Sequence, residues 1–292
     1  MEKGTKLLSK FVILNNGVQI PQIGFGTYQI STPEPIQYAL IAGYRLIDSA
    51  AGYRNEKMIG DQVKQFMKQS GVPRDQIYIT SKISPDQMGI TKSQQCIDNS
   101  LRSFDLNYID LMLIHYPGTK GLKKNDPLNK QNRIETWRVL EEYVGKGLIK
   151  SIGVSNFTKT HLEQILEIAQ VKPVINQIEL HPLYVEKETI NYCNKNQILV
   201  EAYSPLARYN EQLVKDQRII DISQEINQSV SQTILKWHLE KNFIPLPKSV
   251  NFERINENIQ LDGFDLNKEQ IEVIDQLSEF QNKVCWDPRD VE

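Results

Sequence analysis

The chain has 292 residues, 40% hydrophobic and 24% charged, which describes a globular protein able to bury a sizeable core and excludes a disordered one. Its 34 Lys and Arg against 36 Asp and Glu leave a formal charge of −2, too balanced for a protein whose main partner is nucleic acid or an anionic membrane. Cys96, Cys193 and Cys285 are far apart and outside any C-x-x-C, so neither a disulfide framework nor a zinc knuckle is expected, and a reducing, cytoplasmic setting fits best.

At the N-terminus, Lys3, Lys6 and Lys10 precede an apolar run at residues 11–14 that is too short for a secretory signal, and no later segment approaches the length of a membrane span. Asn16-Gly17 between residues 12–14 and 18–20 predicts a β-hairpin. A regular alternation follows. Short β-rich runs stand at residues 23–27, 45–48, 77–81, 109–115, 151–154, 174–178, 199–203 and 243–247. Between them apolar residues recur at helical spacing, as in Val63, Phe66 and Met67, in Ile97, Leu101 and Phe104, and in Trp137, Leu140 and Val144.

The repeat is about 31 residues, the size of a βα unit, and such alternation implies parallel strands. Eight units predict a closed (β/α)8 TIM barrel, which takes about 250 residues, so residues 1–292 are read as a single domain. The hairpin is expected to plug the bottom of the barrel. Two additional helices are expected near residues 218–226 and after Leu266. Residues 117–131, with Lys120, Lys123, Lys124 and Lys130, read as a loop on the functional face, either simply solvated or drawing in anionic substrates.

In a barrel the active site gathers where strands end, so polar residues there are the candidates. The second strand ends at Asp48, with Tyr53 five residues on; the third ends at Lys82 and the fourth at His115. A free phenol titrates near pH 10 and donates poorly at neutral pH unless a cation stabilises the phenolate. Lys82 can supply that cation, Asp48 can hold it, and a neutral His115 can orient a substrate oxygen while Tyr53 protonates it. Such a set suits carbonyl reduction. A metal-dependent hydrolase is the rival, since Glu179 and His181 are also strand-end residues, but H-x-H and H-E-x-x-H are absent and no metal is expected. His161 and His238 fall in helices and read as packed or solvated, His181 as a turn residue.

The ordered motifs Gly43-Tyr44-Arg45-Leu46-Ile47-Asp48, Thr80-Ser81-Lys82, Leu113-Ile114-His115-Tyr116-Pro117, Asn176-Gln177-Ile178-Glu179, Tyr203-Ser204-Pro205-Leu206 and Pro247-Lys248-Ser249-Val250 carry a resemblance across almost the whole chain. The chain resembles the aldo-keto reductase superfamily. The resemblance implies a (β/α)8 barrel using NADP(H), with the family's Asp, Tyr, Lys and His tetrad on Asp48, Tyr53, Lys82 and His115. It implies that Tyr203 stacks on the nicotinamide while Ser155, Asn156 and Gln177 bond its carboxamide. Gly26 and Thr27 would border the ring, Ser204 and Leu206 the pyrophosphate, and Glu257 and Asn258 the adenine, with Asp48 also among the cofactor-binding residues.

No G-x-G-x-x-G opens a helix, so a Rossmann domain is unsupported. A barrel instead offers a phosphate site after its last strands, where Lys248, Ser249, Val250 and Arg254 stand, and two cations there favour NADP over NAD. Tyr28, His115, Tyr116 and Trp286 would border the substrate. Tyr28 and Tyr116 hold positions often occupied by Trp in the family, and the long cofactor-clasping loop after Leu206 is expected to be missing, which would speed cofactor exchange. The expected partner is a small carbonyl compound, with no nucleic acid or membrane, and a monomer is expected. The alternative is a non-catalytic NADPH-binding sensor or assembly subunit.

Overall fold

The computed structural model describes residues 10–292, so Lys3 and Lys6 lie outside the described residues. Strands β1 (Phe11–Ile13) and β2 (Gln19–Pro21) form the expected antiparallel hairpin, each one residue off its expected position. Its turn requires a glycine, because Gly17 has φ +83° and donates its N–H to Leu14 O.

Eight further strands form one parallel sheet in chain order: β3 (Phe25–Gly26), β4 (Leu46–Asp48), β5 (Tyr78–Ile83), β6 (Ile109–Ile114), β7 (Ile149–Ser155), β8 (Ile175–Glu179), β9 (Leu199–Tyr203) and β10 (Ile244–Leu246). The ring closes where the Gly24 and Gly26 N–H groups donate to Pro245 O and Pro247 O at 3.0 Å. Gly24 has no alternative there, since a Cβ would fall 2.6 Å from the Leu246 and Leu46 side chains. This (β/α)8 barrel is the architecture predicted, although the first strand is two residues long rather than five.

Helices cover the outside: α1 (Glu34–Ala42), α2 (Glu56–Ser70), α3 (Ile90–Phe104), α4 (Leu128–Gly145), α5 (Lys159–Leu166), α6 (Lys187–Lys195), α7 (Glu211–Val214), α8 (Gln217–Glu225), α9 (Val230–Glu240), α10 (Phe252–Ile259) and α11 (Lys268–Asp275). The two additional helices are α8 and α11, and α7 is a one-turn helix that periodicity was too short to reveal. Helix α4 begins at Leu128, so the predicted loop is shorter by four residues, 128–131. Capping boxes start α9, through Ser229 and Gln232, and α11, through Asn267 and Gln270.

Strand alternation divides the apolar residues into two sets. Met112, Ile114, Ile152 and Val154 face the helices, while Leu46, Leu111, Leu113, Ile175 and Ile244 face the barrel interior together with Leu14 and Ile20 of the hairpin. Asn15 donates to Pro173 O at 2.9 Å and Asn16 to Ser151 Oγ at 3.0 Å, fastening the hairpin beneath the strand starts. Among the described residues, no helix is long and apolar enough to cross a membrane.

Candidate active site

At the opposite end the inward residues become polar. Asp48 closes β4, and the next seven residues are tied back to the barrel by Asn55, which accepts from Ser49 Oγ at 2.7 Å and donates to Thr27 O at 2.9 Å. This loop carries Tyr53 on a short 3-10 turn that ends at Arg54 in the left-handed region, φ 57°. Lys82 projects inward from β5 and is fully buried. Its ammonium donates to both Asp48 carboxylate oxygens, at 2.7 and 2.8 Å, and to Ser49 O at 2.7 Å. It lies 5.0 Å from the Tyr53 ring centroid. His115, just beyond β6, packs edge-on to Tyr53 at 5.7 Å.

The electrostatics separate the roles. Burial favours neutral Lys82, but the Asp48 carboxylate and the neighbouring Tyr53 outweigh it, and the amine is pushed above its ordinary value. Tyr53 is raised by burial, and the Lys82 cation opposes that rise, in the direction expected of a charge that stabilises the phenolate; desolvation is the larger effect. Burial, helped by the Lys82 charge, pushes His115 down to about 3, which keeps the imidazole neutral. Its Nδ1 has no hydrogen-bond partner among the described residues.

Asp48, Tyr53 and His115 form the floor of a cleft of about 590 Å3, with Lys82 buried behind it, a size within the range of small-molecule and cofactor sites. Tyr28 and Trp286 wall it beside Tyr53 and His115; Asn156, Gln177 and Tyr203 line it across the barrel mouth. Gly26, Ser204, Leu206, Lys248, Ser249, Val250, Arg254 and Asn258 also line it. Asn251 caps α10 by accepting from the Arg254 N–H at 2.9 Å, yet Lys248 and Arg254 still border the cleft.

Several expected contacts lie behind the wall. Thr27 is buried and donates Oγ1 to Asp48 O at 2.8 Å, and Ser155 is buried and accepts from Asn156 Nδ2 at 3.1 Å. The Asn156 amide is also engaged by Tyr203 OH at 2.6 Å and by His115 O at 2.9 Å. The Glu257 carbonyl serves the C-terminus of α10 by accepting from the Gln260 N–H. Tyr116 donates to Asp287 O at 2.9 Å and packs edge-on to Trp286.

Other residues were missed by sequence reasoning. Arg208 and Tyr209 line the cleft because the connection after β9 is a tight turn, with Ala207, Arg208 and Tyr209 at φ 48°, 53° and 63°. Glu201 lies fully buried below Gln177, whose Nε2 bridges Asp48 Oδ1 at 2.8 Å and Glu201 Oε2 at 2.9 Å. Alternation on β9 was the signal for Glu201, since it shares a face with Tyr203. Glu179 and His181 pair with each other at 3.1 Å, away from Asp48 and His115, and no group of three potential metal ligands converges among the described residues. His161 and His238 are both buried and hydrogen-bonded.

The profile of the Aldo/keto reductase family matches residues 22–279. The chain belongs to that family. This aldo/keto reductase is 38% identical to the glyoxal reductase of Bacillus subtilis over 275 residues, 93% of this chain and 94% of that protein. It is 37% identical to the glycerol 2-dehydrogenase (NADP(+)) of Saccharomyces cerevisiae, covering 95% of this chain and 92% of that protein. Its fold superposes on the Bombyx mori aldo-keto reductase in complex with NADP with a TM-score of 0.86 at 30% identity, covering 94% of each chain.

Proposed function

We propose that this aldo/keto reductase reduces aldehydes and ketones to alcohols with NADPH. The observation that carries the reading is the buried Lys82 ammonium, clamped by Asp48 and placed under the Tyr53 ring with neutral His115 beside it, at the floor of the cleft. The relatives named glyoxal reductase and glycerol 2-dehydrogenase (NADP(+)) support small oxygenated carbonyl compounds as the substrate class.

The residues fit a dinucleotide. Tyr203 offers an aromatic wall, Asn156 and Gln177 offer amides, and Lys248 and Arg254 offer two cations beside the N-terminus of an eight-residue helix, a favourable place for phosphate. When bound, the nicotinamide supplies hydride to the carbonyl carbon. Tyr53 gives its phenolic proton to the carbonyl oxygen, and the Lys82 charge stabilises the phenolate left behind. Asp48 keeps Lys82 charged and aimed. His115, held neutral, donates one N–H to the same oxygen and sets its direction toward Tyr53.

The test is oxidation of NADPH by the purified chain with methylglyoxal and other aldehydes, beside Tyr53→Phe. General acid catalysis supplies about 10²- to 10⁴-fold, and a loss of that size is expected. Tight NADPH binding without turnover would instead assign a non-catalytic role. Lys248→Ala and Arg254→Ala are each expected to weaken NADPH about tenfold while sparing NADH, since charge-assisted phosphate bonds contribute about 1.5 to 3 kcal/mol. Equal rates with the two cofactors in the wild type would remove the phosphate assignment.

A further inference from the structure

Trp286 is 55% exposed, yet its ring stands 5.7 Å from His115 and 5.9 Å from Tyr116. A side chain half in water gains too little burial to hold itself in place, so its position must come from the backbone that carries it. On its C-terminal side the tail is fastened at several points. Tyr116 OH donates to Asp287 O at 2.9 Å, Lys124 pairs with Asp290 at 2.9 Å, and His161 Nε2 meets Val291 O at 2.6 Å.

On its N-terminal side the fastening converges on one carboxylate. Glu179, the last residue of β8, is 1% exposed. Its Oε1 accepts the Val284 N–H at 2.6 Å and lies 3.1 Å from His181 Nε2. Its Oε2 accepts the Lys283 ammonium at 2.8 Å and the Cys285 N–H at 3.1 Å. Burial opposes ionisation here, yet His181, Lys283 and the Val284 N–H together hold the carboxyl below its ordinary value, so the latch is a charge-assisted one. Glu179 does not itself line the cleft.

We infer that Glu179 is a positioning residue for substrate selection: by fixing residues 283–285 it stands Trp286 as a wall beside His115, which lets the cleft take flat aromatic carbonyl compounds as well as the small ones that the floor alone serves. The inference rests on the reading of the cleft as a carbonyl site. A planar substrate packs between Trp286 and Tyr28 and needs both walls in register, whereas a small dicarbonyl needs only the donors on the floor. Because the fastenings from Asp287 onward are separate, loss of the Glu179 latch loosens the indole from its N-terminal side without detaching the tail.

The test compares 4-nitrobenzaldehyde with methylglyoxal in the full chain, together with acrylamide quenching of tryptophan fluorescence. Trp137 and Trp237 are 0% exposed, so quenchable emission reports Trp286. In Glu179→Ala the KM for 4-nitrobenzaldehyde should rise about tenfold more than that for methylglyoxal, since misplacement by about 1 Å can cost up to 10²-fold. Quenching should increase in parallel. Glu179→Gln keeps an acceptor but loses the charge and should fall between. Lys283→Met cuts the latch from the tail side, leaves the strand untouched and should shift both readouts in the same direction by less. A folded variant that keeps either the wild-type KM ratio or the wild-type quenching overturns the inference. Where Glu179→Ala does not fold, the other two variants decide on the same readouts. A wild type that turns over neither aldehyde defeats the activity reading alone, and the quenching contrast still decides whether Glu179 holds Trp286.

Discussion

Where the strands begin, the barrel interior holds Leu46, Leu111, Ile175 and Ile244 sealed beneath Leu14 and Ile20 of the hairpin. At the next inward position stand Asp48 on β4 and Gln177 on β8, with Lys82 and Glu201 coming from the neighbouring strands β5 and β9; all four are buried and joined by hydrogen bonds of 2.7 to 2.9 Å. Backbone and layering are shared, so the contrast isolates what a charge costs inside a barrel. The lower layers are stabilised by area removed from water. The upper layers keep an ammonium and a carboxylate out of water because each satisfies the other.

The largest break in this contrast comes from Lys82→Met. It leaves Asp48 buried without its counter-ion, and removing one partner of a buried pair costs about 3 to 5 kcal/mol. Turnover should fall with it, by about the 10²-fold or more associated with general acid catalysis, and a variant retaining wild-type rates would show that the cation does not support Tyr53. Thermal unfolding and single-turnover rates measure the two effects separately.

Leu111→Ala attacks the other end. It is 0% exposed, and large-to-small changes in such positions cost about 2 to 5 kcal/mol. Denaturant melts should register that loss while kcat of the folded fraction stays at the wild-type value. A fall in kcat would mean that the apolar layers also set the geometry of the upper ones.

Glu201 sharpens the comparison through pH. Burial, reinforced by the Asp48 charge, pushes its carboxyl up to about 8 against an ordinary 4.5. Between those values the folded chain binds more protons than the unfolded chain, so the contribution of Glu201 to stability is complete below about 4.5 and is lost as pH rises toward 8. Glu201→Gln has no proton to lose. Its unfolding free energy should therefore gain on the wild type steadily between those limits, by at most about 1.4 kcal/mol per pH unit, read from denaturant melts at each pH. A constant difference across that range would show that Glu201 is ionised in the fold.

The smallest effect is expected from Asn16→Ala, which removes the bond to Ser151 Oγ from an exposed hairpin tip. About 1 kcal/mol should be lost, with no change in KM for any aldehyde.

Much of this was legible in the residues. The tetrad positions follow from where β-rich runs end, because a barrel collects strand ends at one mouth, and Asp48, Tyr53, Lys82 and His115 needed only that rule to be placed together. Lys248 and Arg254 were legible for the same reason. The latch at Glu179 was not, since its partners lie 104 to 106 residues away in a tail without periodicity. Nor was the net rise of the Tyr53 phenol, which depends on how completely Tyr28, His115 and the loop exclude water from it. Thr27 and Ser155 illustrate a third limit. A motif gives a position along the strand but not the partner of the side chain, and here the hydroxyls meet neighbouring atoms, Thr27 Oγ1 the Asp48 O and Ser155 Oγ the Asn156 amide.

The closure of the ring has a kinetic consequence. Between β3 and β10 both acceptors are proline carbonyls, and Pro245 and Pro247 have no N–H to return, so this seam carries bonds in one direction only. Half a ladder opens more readily than a whole one, and deuterium should enter the Gly24 and Gly26 amides before it enters the central strands. Gly26 also borders the cleft. Deuterium uptake at these two amides is therefore a ligand-sensitive clock, one that can report occupancy of the cleft with no substrate turning over.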